Sequence, residues 1–363
     1  MNAIQRIVRN PLLHKLRSPI ASLRNKYWFW KYFNKIAKTG EAPLPRKVIM
    51  EATLRCNLSC HFCFRDLTNF QDVTTENMKK IIDNLGPSIK TMGFTGGEVF
   101  LRTDMLEIVR YLGEKGIDVG LLTNATLLNP EKVEEMLALP NLKNIGISID
   151  GLRDTHDSIR GKGMFDKSVS VIKLMNKRFK HVGVNSVMTK QNIKELPELL
   201  EMLAPYITNY SVEYQMFNTA AEVKVTAEML KIPMSAVTVW AKEERDYDFS
   251  FEEVEAVKKT LRAIAKKHGI GFQSEPIAAD TFEKDFYEGK VLKHKIVCGH
   301  LMTARIDPRG NLVFCHLIKK PSGSLIDTPL AQLWNSEEVK DFRKNLLQRQ
   351  ALPPVCKRCC KIQ

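Results

Sequence analysis

The chain has 363 residues, 44% hydrophobic and 26% charged, which is enough to bury one large core beside a smaller one. It contains no run of about 18 apolar residues and no recognisable secretory signal, which predicts a cytoplasmic protein without a membrane-spanning helix. The eight cysteines are then poor candidates for disulfides. A net charge of +14 only permits binding of acidic partners, and no nucleic-acid-reading motif accompanies it, so nucleic acid is disfavoured.

Residues 1–45 form a basic, aromatic arm before the first predicted strand. Its first forty residues contain nine Lys or Arg and no Asp or Glu. Two stripes recur at helical spacing, an apolar one of Leu23, Tyr27, Trp30 and Phe33 and a basic one of Arg24, Lys31, Lys35 and Lys38. Such a helix suits packing across the open side of a barrel, or peripheral attachment to the inner face of the membrane. Recognition of an acidic peptide or nucleic acid is a third alternative.

Six short β-rich runs follow, and the chain between them is long enough for crossover helices. They are residues 47–53, 91–95, 119–123, 144–149, 181–188 and 211–217. A helix is predicted after the last run. Ser250 and Glu253 predict a capping box at its start, and Gly269 predicts its end. The pattern predicts an α/β fold whose barrel is a partial, open (β/α)6 barrel similar to a TIM barrel.

Three cysteines follow the first predicted strand with the spacing CxxxCxxC, namely Cys56, Cys60 and Cys63 in CNLSCHFC. A four-iron cluster normally takes four cysteines, so three leave one iron open to another ligand. An open metal position is typical of reactive rather than structural sites. The alternative is a zinc knuckle with His61 as fourth ligand, although adjacent Cys60 and His61 make an awkward tetrahedral pair.

The run CNLSCHFC resembles the cluster motif of the radical S-adenosylmethionine (radical SAM) superfamily, including the aromatic Phe62 before the third cysteine. The resemblance implies that the amine and carboxylate of SAM chelate the open iron. It also implies that the reduced 4Fe-4S cluster cleaves SAM to a 5′-deoxyadenosyl radical, which abstracts hydrogen from a substrate. A reducing donor such as flavodoxin or ferredoxin is then required as a partner.

Polar residues follow the next strands at their carboxyl ends, where βα barrels gather their chemistry. The segment TGGE after the second strand is similar to the family's GGE segment, which holds the SAM amino group, and its glycines predict close approach of the backbone to a ligand. TNAT after the third strand is similar to the family's TNGT, with alanine in place of glycine. The resemblance assigns SAM binding to Thr95, Gly96, Gly97, Glu98 and Asn124.

The fourth strand ends in SIDGxxxxHDxxR, which is similar to the radical SAM subgroup that carries extra clusters. Alternation places Ser148 and Asp150 on one face. Ser148 and Arg160 are candidate partners of the SAM carboxylate, with a surface salt bridge as the alternative for Arg160. Asn185 on strand five is a candidate for contact with the adenosine. Glu213 on strand six is the candidate proton acceptor, and a purely structural buried carboxylate is its alternative.

A second group of cysteines lies near the carboxyl end of the chain, namely Cys298, Cys315, Cys356, Cys359 and Cys360. Two distant thiols and a CxxC make a closed four-ligand site, for which structural zinc is a rival. The pattern of a cysteine, GxxxxC and CxxC is similar to the SPASM/twitch region of radical SAM enzymes. The resemblance implies an auxiliary 4Fe-4S cluster at Cys298, Cys315, Cys356 and Cys359, with Cys360 as substitute ligand.

These motifs divide the chain into the arm at 1–45, a radical SAM barrel at 46–275 and a twitch/SPASM-like cluster domain at 276–363. A closed auxiliary cluster favours electron transfer, so the predicted enzyme is a radical SAM oxidoreductase that oxidises or crosslinks its substrate. A small molecule or lipid is the leading substrate hypothesis, because the arm suits a membrane surface. A peptide maturase is the runner-up, and a non-catalytic zinc-binding module is the alternative from another class.

Overall fold

The computed structural model describes residues 31–63, 71–238, 250–275, 298–348 and 352–359. Seven parallel strands form the barrel: β1 Lys47–Thr53, β2 Thr91–Gly96, β3 Asp118–Thr123, β4 Leu142–Ser148, β5 His181–Met188, β6 Asn209–Tyr214 and β7 Gly271–Glu275. Three short strands follow: β8 Ala304–Ile306, β9 Asn311–Val313 and β10 Pro321–Ser324. All ten form one sheet in the order β10-β9-β8-β1-β2-β3-β4-β5-β6-β7.

The predicted partial barrel is confirmed, because β1 to β7 run parallel in sequence order and β7 lies at a free end of the sheet. β7 is an additional strand that the sequence did not predict, since GFQSE is short and shows little apolar alternation. β8 pairs in parallel with β1, and β9 and β10 continue the sheet antiparallel. The auxiliary region is therefore joined to the barrel by strand pairing.

Helices alternate with the barrel strands, and further helices follow β10. They are α1 Thr75–Asn84, α2 Met105–Glu114, α3 Pro130–Leu137, α4 Arg153–Arg160, α5 Met164–Met175, α6 Leu196–Leu203, α7 Ala220–Leu230, α8 Phe251–His268, α9 Leu330–Trp334 and α10 Glu337–Leu347. α8 begins with the predicted capping box of Ser250 and Glu253 and ends at Gly269, whose φ is +67°. Local capping signals therefore set the bounds of this helix.

Alternate residues of each strand pack on these helices, as Val48 and Met50 of β1 do without any exposure. The inner face of the sheet is more polar. Ser148, Asn185, Ser211 and Gln273 are neighbours across β4, β5, β6 and β7. The carboxyl half of the barrel thus offers a row of hydrogen-bonding side chains on its inner face.

The described part of the arm packs on α9 and α10. Residues 31–39 are helical, with Phe33 and Ile36 buried and the lysines of the basic stripe exposed. The Gly40 carbonyl accepts a hydrogen bond from Arg343, and the Pro43 carbonyl accepts one from Trp334. The contact is therefore with the carboxyl-terminal helices, whereas the sequence suggested the barrel's open side.

The remainder of the predicted stripes, including Tyr27 and Trp30, lies outside the described residues. None of the helices in the described ranges is both long enough and apolar enough to cross a membrane. Attachment of the arm to a membrane surface stays a prediction.

Candidate active site

The three cysteines of CNLSCHFC lie in the loop after β1, and all three are half-buried. The Cys63 N–H donates to the Cys60 carbonyl at 2.9 Å. Burial raises the pKa of the Cys60 thiol, Arg160 acts in the opposite direction, and the Cys63 and Cys56 thiols raise it further. The three sulfurs are therefore near neighbours on one short loop, here called the cluster loop (residues 56–63).

The GGE segment packs directly on the start of the cluster loop. A Cβ on Gly96, whose φ is +129°, would lie 2.4 Å from the Thr53 carbonyl oxygen, and one on Gly97 would lie 1.6 Å from that of Arg55. The Gly97 N–H donates to Thr53, and the Glu98 N–H donates to Arg55. The glycines allow a close approach to the backbone of Thr53 and Arg55, and their contact with SAM stays a prediction.

Glu98 is buried, and its carboxylate accepts three hydrogen bonds from neighbouring backbone and side-chain groups. The donors are the Thr123 hydroxyl at 2.6 Å, the Asn124 N–H at 2.8 Å and the Phe100 N–H at 3.1 Å. This carboxylate therefore ties the end of β2 to the end of β3. Thr95 lies beside Glu51 of β1. Contact of Thr95 or Glu98 with SAM stays a prediction.

Asn124 connects the end of β3 to the cluster loop. Its side-chain amide donates to Asn57 at 3.0 Å, and its oxygen accepts from the Thr126 N–H and hydroxyl. Asn57, which follows Cys56, donates in turn to the Thr126 hydroxyl at 2.8 Å. Sequence analysis missed Asn57 and Thr126, although both lie within the quoted motifs. Ala125, the departure from TNGT, is buried with a φ of +64°, a conformation that favours glycine.

Arg160 forms a buried ion pair with Asp150, not the surface salt bridge considered as an alternative. The Asp150 side chain has no exposure, and its Oδ2 accepts from Arg160 Nε at 2.5 Å while Oδ1 accepts from the Val187 N–H at 2.8 Å. Although burial opposes the charge, the Asp150 carboxylate raises the pKa of Arg160 above its ordinary value. The guanidinium lies 5.8 Å from the Phe62 ring centroid. Asp150 therefore orients a permanent cation toward the cluster loop.

His156 is a buried residue behind this ion pair that sequence analysis did not assign. Its Nδ1 accepts a hydrogen bond from the Asp150 N–H at 3.1 Å. Burial lowers the pKa of His156 to about 4, so the imidazole is neutral at pH 7. Its Nε2 has no hydrogen-bond partner among the described residues. The ring therefore fixes the backbone that carries Asp150. Its position in SIDGxxxxHDxxR is the sequence signal from which this role could have been predicted.

The other candidate residues lie together on the inner face of the barrel. Ser148 of β4 is beside Asn185 of β5, and both are half-buried. Glu213, also half-buried, lies on β6 beside Val187 of β5, whose N–H binds Asp150. The structure thus brings Ser148, Asn185 and Glu213 to one end of the barrel, near the cluster loop. Their individual roles stay predictions.

An open groove of about 550 Å³ lies next to the cluster loop. It is lined by the loop itself, by the segment after β3 and by residues around the junction of α4 and α5, including Asn57, Ser59, Thr126, Arg160, Lys162 and Lys167. None of its described lining residues belongs to the GGE segment or to the inner face of β4, β5 and β6. Two exposed lysines, Lys162 and Lys167, give this groove a basic character.

The second cysteine group is assembled from three separate segments of the chain. The Cys298, Cys315 and Cys359 thiols all influence Cys356, and burial is the main reason that the pKa of Cys356 is well above its ordinary value. Burial likewise raises the pKa of Cys298 to about 12. The Ile318 N–H donates to the Cys315 sulfur at 3.2 Å. These four cysteines therefore lie close together, with Cys315 and Cys359 buried and Cys298 and Cys356 half-buried. Cys360 lies outside the described residues.

The cysteines of both groups fit iron–sulfur clusters. In such a cluster each thiolate binds a different iron, so the sulfurs need not all lie within bonding distance of one metal ion. Among the described residues, no three His, Cys, Asp or Glu side chains could hold one metal ion. The raised pKa values mean that the buried thiols are protonated without metal and release protons on binding.

A buried group of charged and imidazole side chains lies between β1 and the second cysteine group. Lys319 Nζ donates to Glu51 Oε2 at 2.9 Å, and an Arg305 guanidinium nitrogen lies 3.8 Å from Glu51 Oε1. The His300 and His316 rings are 5.4 Å apart. Burial lowers the pKa of His300 to about 3, and Arg305 lowers it further. Sequence analysis missed this group because its members are up to 268 positions apart.

Two family models match the chain. The model of the radical SAM superfamily matches residues 50–203, and the model of the SPASM iron–sulfur cluster-binding domain matches residues 298–360. Together they cover both cysteine groups. The catalytic barrel and the auxiliary region are thus matched separately, by models of the two predicted kinds.

Similar proteins include an AdoMet-dependent heme synthase of Methanosarcina barkeri, 27% identical over 83% of this chain and 84% of that protein. An Fe-coproporphyrin III synthase of the same organism is 28% identical over 64% of this chain, which spans only 55% of that protein. A PqqA peptide cyclase of Rhodopseudomonas palustris is 25% identical over 82% of this chain and 75% of that protein.

Among solved structures, SuiB of Streptococcus suis bound to precursor peptide SuiA matches 94% of this chain and 76% of that chain, with a TM-score of 0.66. A structure of anSMEcpe with AdoMet and a Cp18Cys peptide matches 87% of both chains, with a TM-score of 0.60. Each is 16% identical in sequence, so these two likenesses show the fold alone.

Proposed function

This chain belongs to the radical SAM superfamily and carries a SPASM-type auxiliary cluster region, and from that premise we propose that it is an oxidoreductase of an organic substrate. As a member of this family it binds SAM and 4Fe-4S clusters. We propose Cys56, Cys60 and Cys63 as ligands of the SAM-binding cluster. For the auxiliary cluster we propose Cys298, Cys315, Cys356 and Cys359.

One observation carries the proposal of oxidation. The second site gathers four cysteines, two buried and two half-buried, so a cubane held there has a thiolate for each iron. A site without a vacant iron is suited to accepting an electron rather than to binding the substrate directly. The proposed role of the auxiliary site is therefore to take an electron from the substrate after hydrogen abstraction.

The residues of the open site have separate proposed tasks. The bound cofactors supply a 5′-deoxyadenosyl radical that removes a hydrogen atom from the substrate. Arg160, held by Asp150, offers its charge to the SAM carboxylate, because guanidinium and carboxylate form strong paired hydrogen bonds. Ser148 and Asn185 position the nucleoside, and Glu213 accepts the substrate proton. Loss of a hydrogen atom, a proton and an electron completes a two-electron oxidation.

A small molecule is the first proposed substrate class, because a relative named AdoMet-dependent heme synthase matches along most of both chains. A peptide is the second, favoured by the PqqA peptide cyclase that matches over 82% of this chain. The test is anaerobic reconstitution with SAM and dithionite in the presence of a deuterated porphyrin carboxylate or a deuterated peptide. Deuterium in 5′-deoxyadenosine identifies the class, and absence of 5′-deoxyadenosine formation would refute the proposed activity.

Binding of a lipid substrate at the membrane is a further part of the proposal, supported by the exposed lysines of segment 31–39. Replacing Lys31, Lys35 and Lys38 by glutamine should reduce co-sedimentation with anionic vesicles and leave binding to neutral vesicles unchanged. If wild-type protein does not sediment with anionic vesicles, the membrane proposal fails.

We propose the basic groove beside the cluster loop as the docking place of an acidic electron donor such as flavodoxin or ferredoxin. Ser59 of the loop is exposed at this groove, and Lys162 and Lys167 lie on its rim. Replacing both lysines by glutamate should slow SAM cleavage driven by flavodoxin, because like charges oppose encounter. Cleavage driven by dithionite should be unchanged. Equal rates with flavodoxin in the two proteins would refute this docking place.

A further inference from the structure

The buried group between β1 and the auxiliary cysteines has an excess of positive charge. Arg305 of β8 and Lys319 are cations, and both face the single carboxylate of Glu51. Arg305 is 8% exposed and Glu51 is 5% exposed. One carboxylate therefore balances one of two cations.

Part of this group has unused hydrogen-bonding capacity. Arg305 Nε and both ring nitrogens of His300 are buried and have no hydrogen-bond partner among the described residues. Buried donors without a partner cost free energy, so such atoms call for a missing partner. Within the described ranges, no oxygen of the chain supplies that partner.

The auxiliary cysteines lie close to this group along the chain and across the sheet. Arg305 pairs across the β8–β9 ladder with Val313, which is two residues from Cys315. Lys319 follows Ile318, whose N–H binds the Cys315 sulfur. His300 is two residues beyond Cys298 in a short helical turn. The excess cation and the unpartnered donors thus lie on the segments that carry two of the four cysteines.

We propose that Arg305, oriented by Glu51, supplies positive charge and an N–H donor to the auxiliary cluster and thereby raises its reduction potential. A cubane with four thiolates is a net anion, and reduction adds a further negative charge. A buried cation beside it stabilises the reduced form more than the oxidised form, because charges interact strongly where water is excluded. The auxiliary site becomes the better electron acceptor. This inference rests on the proposed assignment of Cys298, Cys315, Cys356 and Cys359 to that cluster.

The test is an anaerobic redox titration of the protein with both clusters, followed by electron paramagnetic resonance and without substrate. Arg305→Gln should lower the equilibrium constant for reducing the auxiliary cluster at least tenfold. For one electron this corresponds to a decrease of about 59 mV in the reduction potential. Glu51→Gln should shift the same potential in the opposite direction, because it releases the cations from their partner. The SAM-binding cluster in the same samples should move much less.

Arg343→Gln is the matched control, because Arg343 is also buried but stacks on Trp334 at 4.2 Å and donates to the Gly40 carbonyl. It should leave the auxiliary potential unchanged. If the Arg305→Gln protein does not assemble the auxiliary cluster, Lys319→Met is used in its place. Lys319→Met should lower the reduction potential, and it is compared with Glu51→Gln in the same way. Shifts of one sign in all variants, or no shift, would overturn the inference. Since no turnover is measured, inactivity toward every substrate would count against the proposed function alone.

Discussion

The two cysteine groups of this molecule are built in opposite ways. The first places three thiols within residues 56–63, half-buried on one loop at the end of β1. The second draws four thiols from three segments, with Cys315 and Cys359 buried and Cys298 and Cys356 half-buried. A short loop holds its site from one side, whereas ligands drawn from several segments hold their site from several sides. A site whose ligands come from one short loop thus suits chemistry with an exchangeable ligand. A site whose ligands come from distant segments suits a redox centre with all its ligands supplied by the protein.

Removing one cysteine from each group is the strongest test of this contrast. Cys60→Ala and Cys356→Ala should each lose about four of about eight irons. Cys60→Ala should form no 5′-deoxyadenosine, because the site that binds SAM is gone. Cys356→Ala should keep SAM cleavage but lose product formation. Iron analysis and quantification of both products check this, and equal loss of SAM cleavage in the two variants would remove the distinction.

Breaking the buried pair behind the open site should be the next largest effect. Asp150→Asn leaves the buried Arg160 guanidinium without its counter-charge, so we expect the free energy of unfolding to fall by roughly 3–5 kcal/mol. The control is Asp166→Asn, which breaks an exposed pair with Arg153 and should cost less than about 1 kcal/mol. Anaerobic urea denaturation measures both. Similar costs for the two variants would contradict the buried network.

The pH dependence of His156 tests the support of the open site more finely. Its pKa is about 4 when folded and ordinarily 6.5, so below pH 6.5 the unfolded chain takes up a proton that the folded protein does not. The unfolding free energy therefore decreases as pH falls from 6.5 toward 4. Between pH 7.5 and 5.5, wild type should lose about 1 kcal/mol more than His156→Gln. Parallel pH profiles of the two proteins would contradict a neutral buried His156.

The smallest expected effect concerns Ala125, next to the Asn57–Asn124–Thr126 linkage that holds the cluster loop. Its φ of +64° strains alanine but suits glycine. Ala204, equally buried at the end of α6, has ordinary helical dihedrals. Ala204→Gly should therefore lower the free energy of unfolding by about 1 kcal/mol more than Ala125→Gly. Thermal or urea unfolding of both variants measures the difference, and equal costs would show that the linkage carries no strain.

Sequence reasoning succeeded where a signal is local. The run 181–188 is a strand with the predicted ends, and α8 begins and ends at the predicted capping residues, because alternation and capping are properties of neighbouring residues. The cluster loop and the carboxyl ends of β2 to β6 followed from motif spacing and strand order. Strand β7 lacked such a pattern and was missed.

Partnerships between distant residues could not be predicted. The assignment of Gly97 and Glu98 to SAM stays a prediction, but the sequence did not indicate that their backbone binds Thr53 and Arg55 or that the Glu98 carboxylate binds the end of β3. Glu51 carries no local sign of meeting Lys319. Such contacts depend on which strands become neighbours in the sheet. A single sequence indicates that a polar side chain lies in a buried strand and needs a partner there. It does not indicate which residue is that partner.

The pairing of β1 with β8 has a consequence for electron transfer. One edge of β1 bonds to β2 and the other to β8, while the chain leaving β1 carries the first thiols and the hairpin after β8 leads to Cys315. These strands are neighbours in one continuous sheet, so its hydrogen bonds fix the separation of the segments that carry the two groups. Because tunnelling probability decays exponentially with distance, a fixed separation would give the proposed electron transfer the same rate in every molecule.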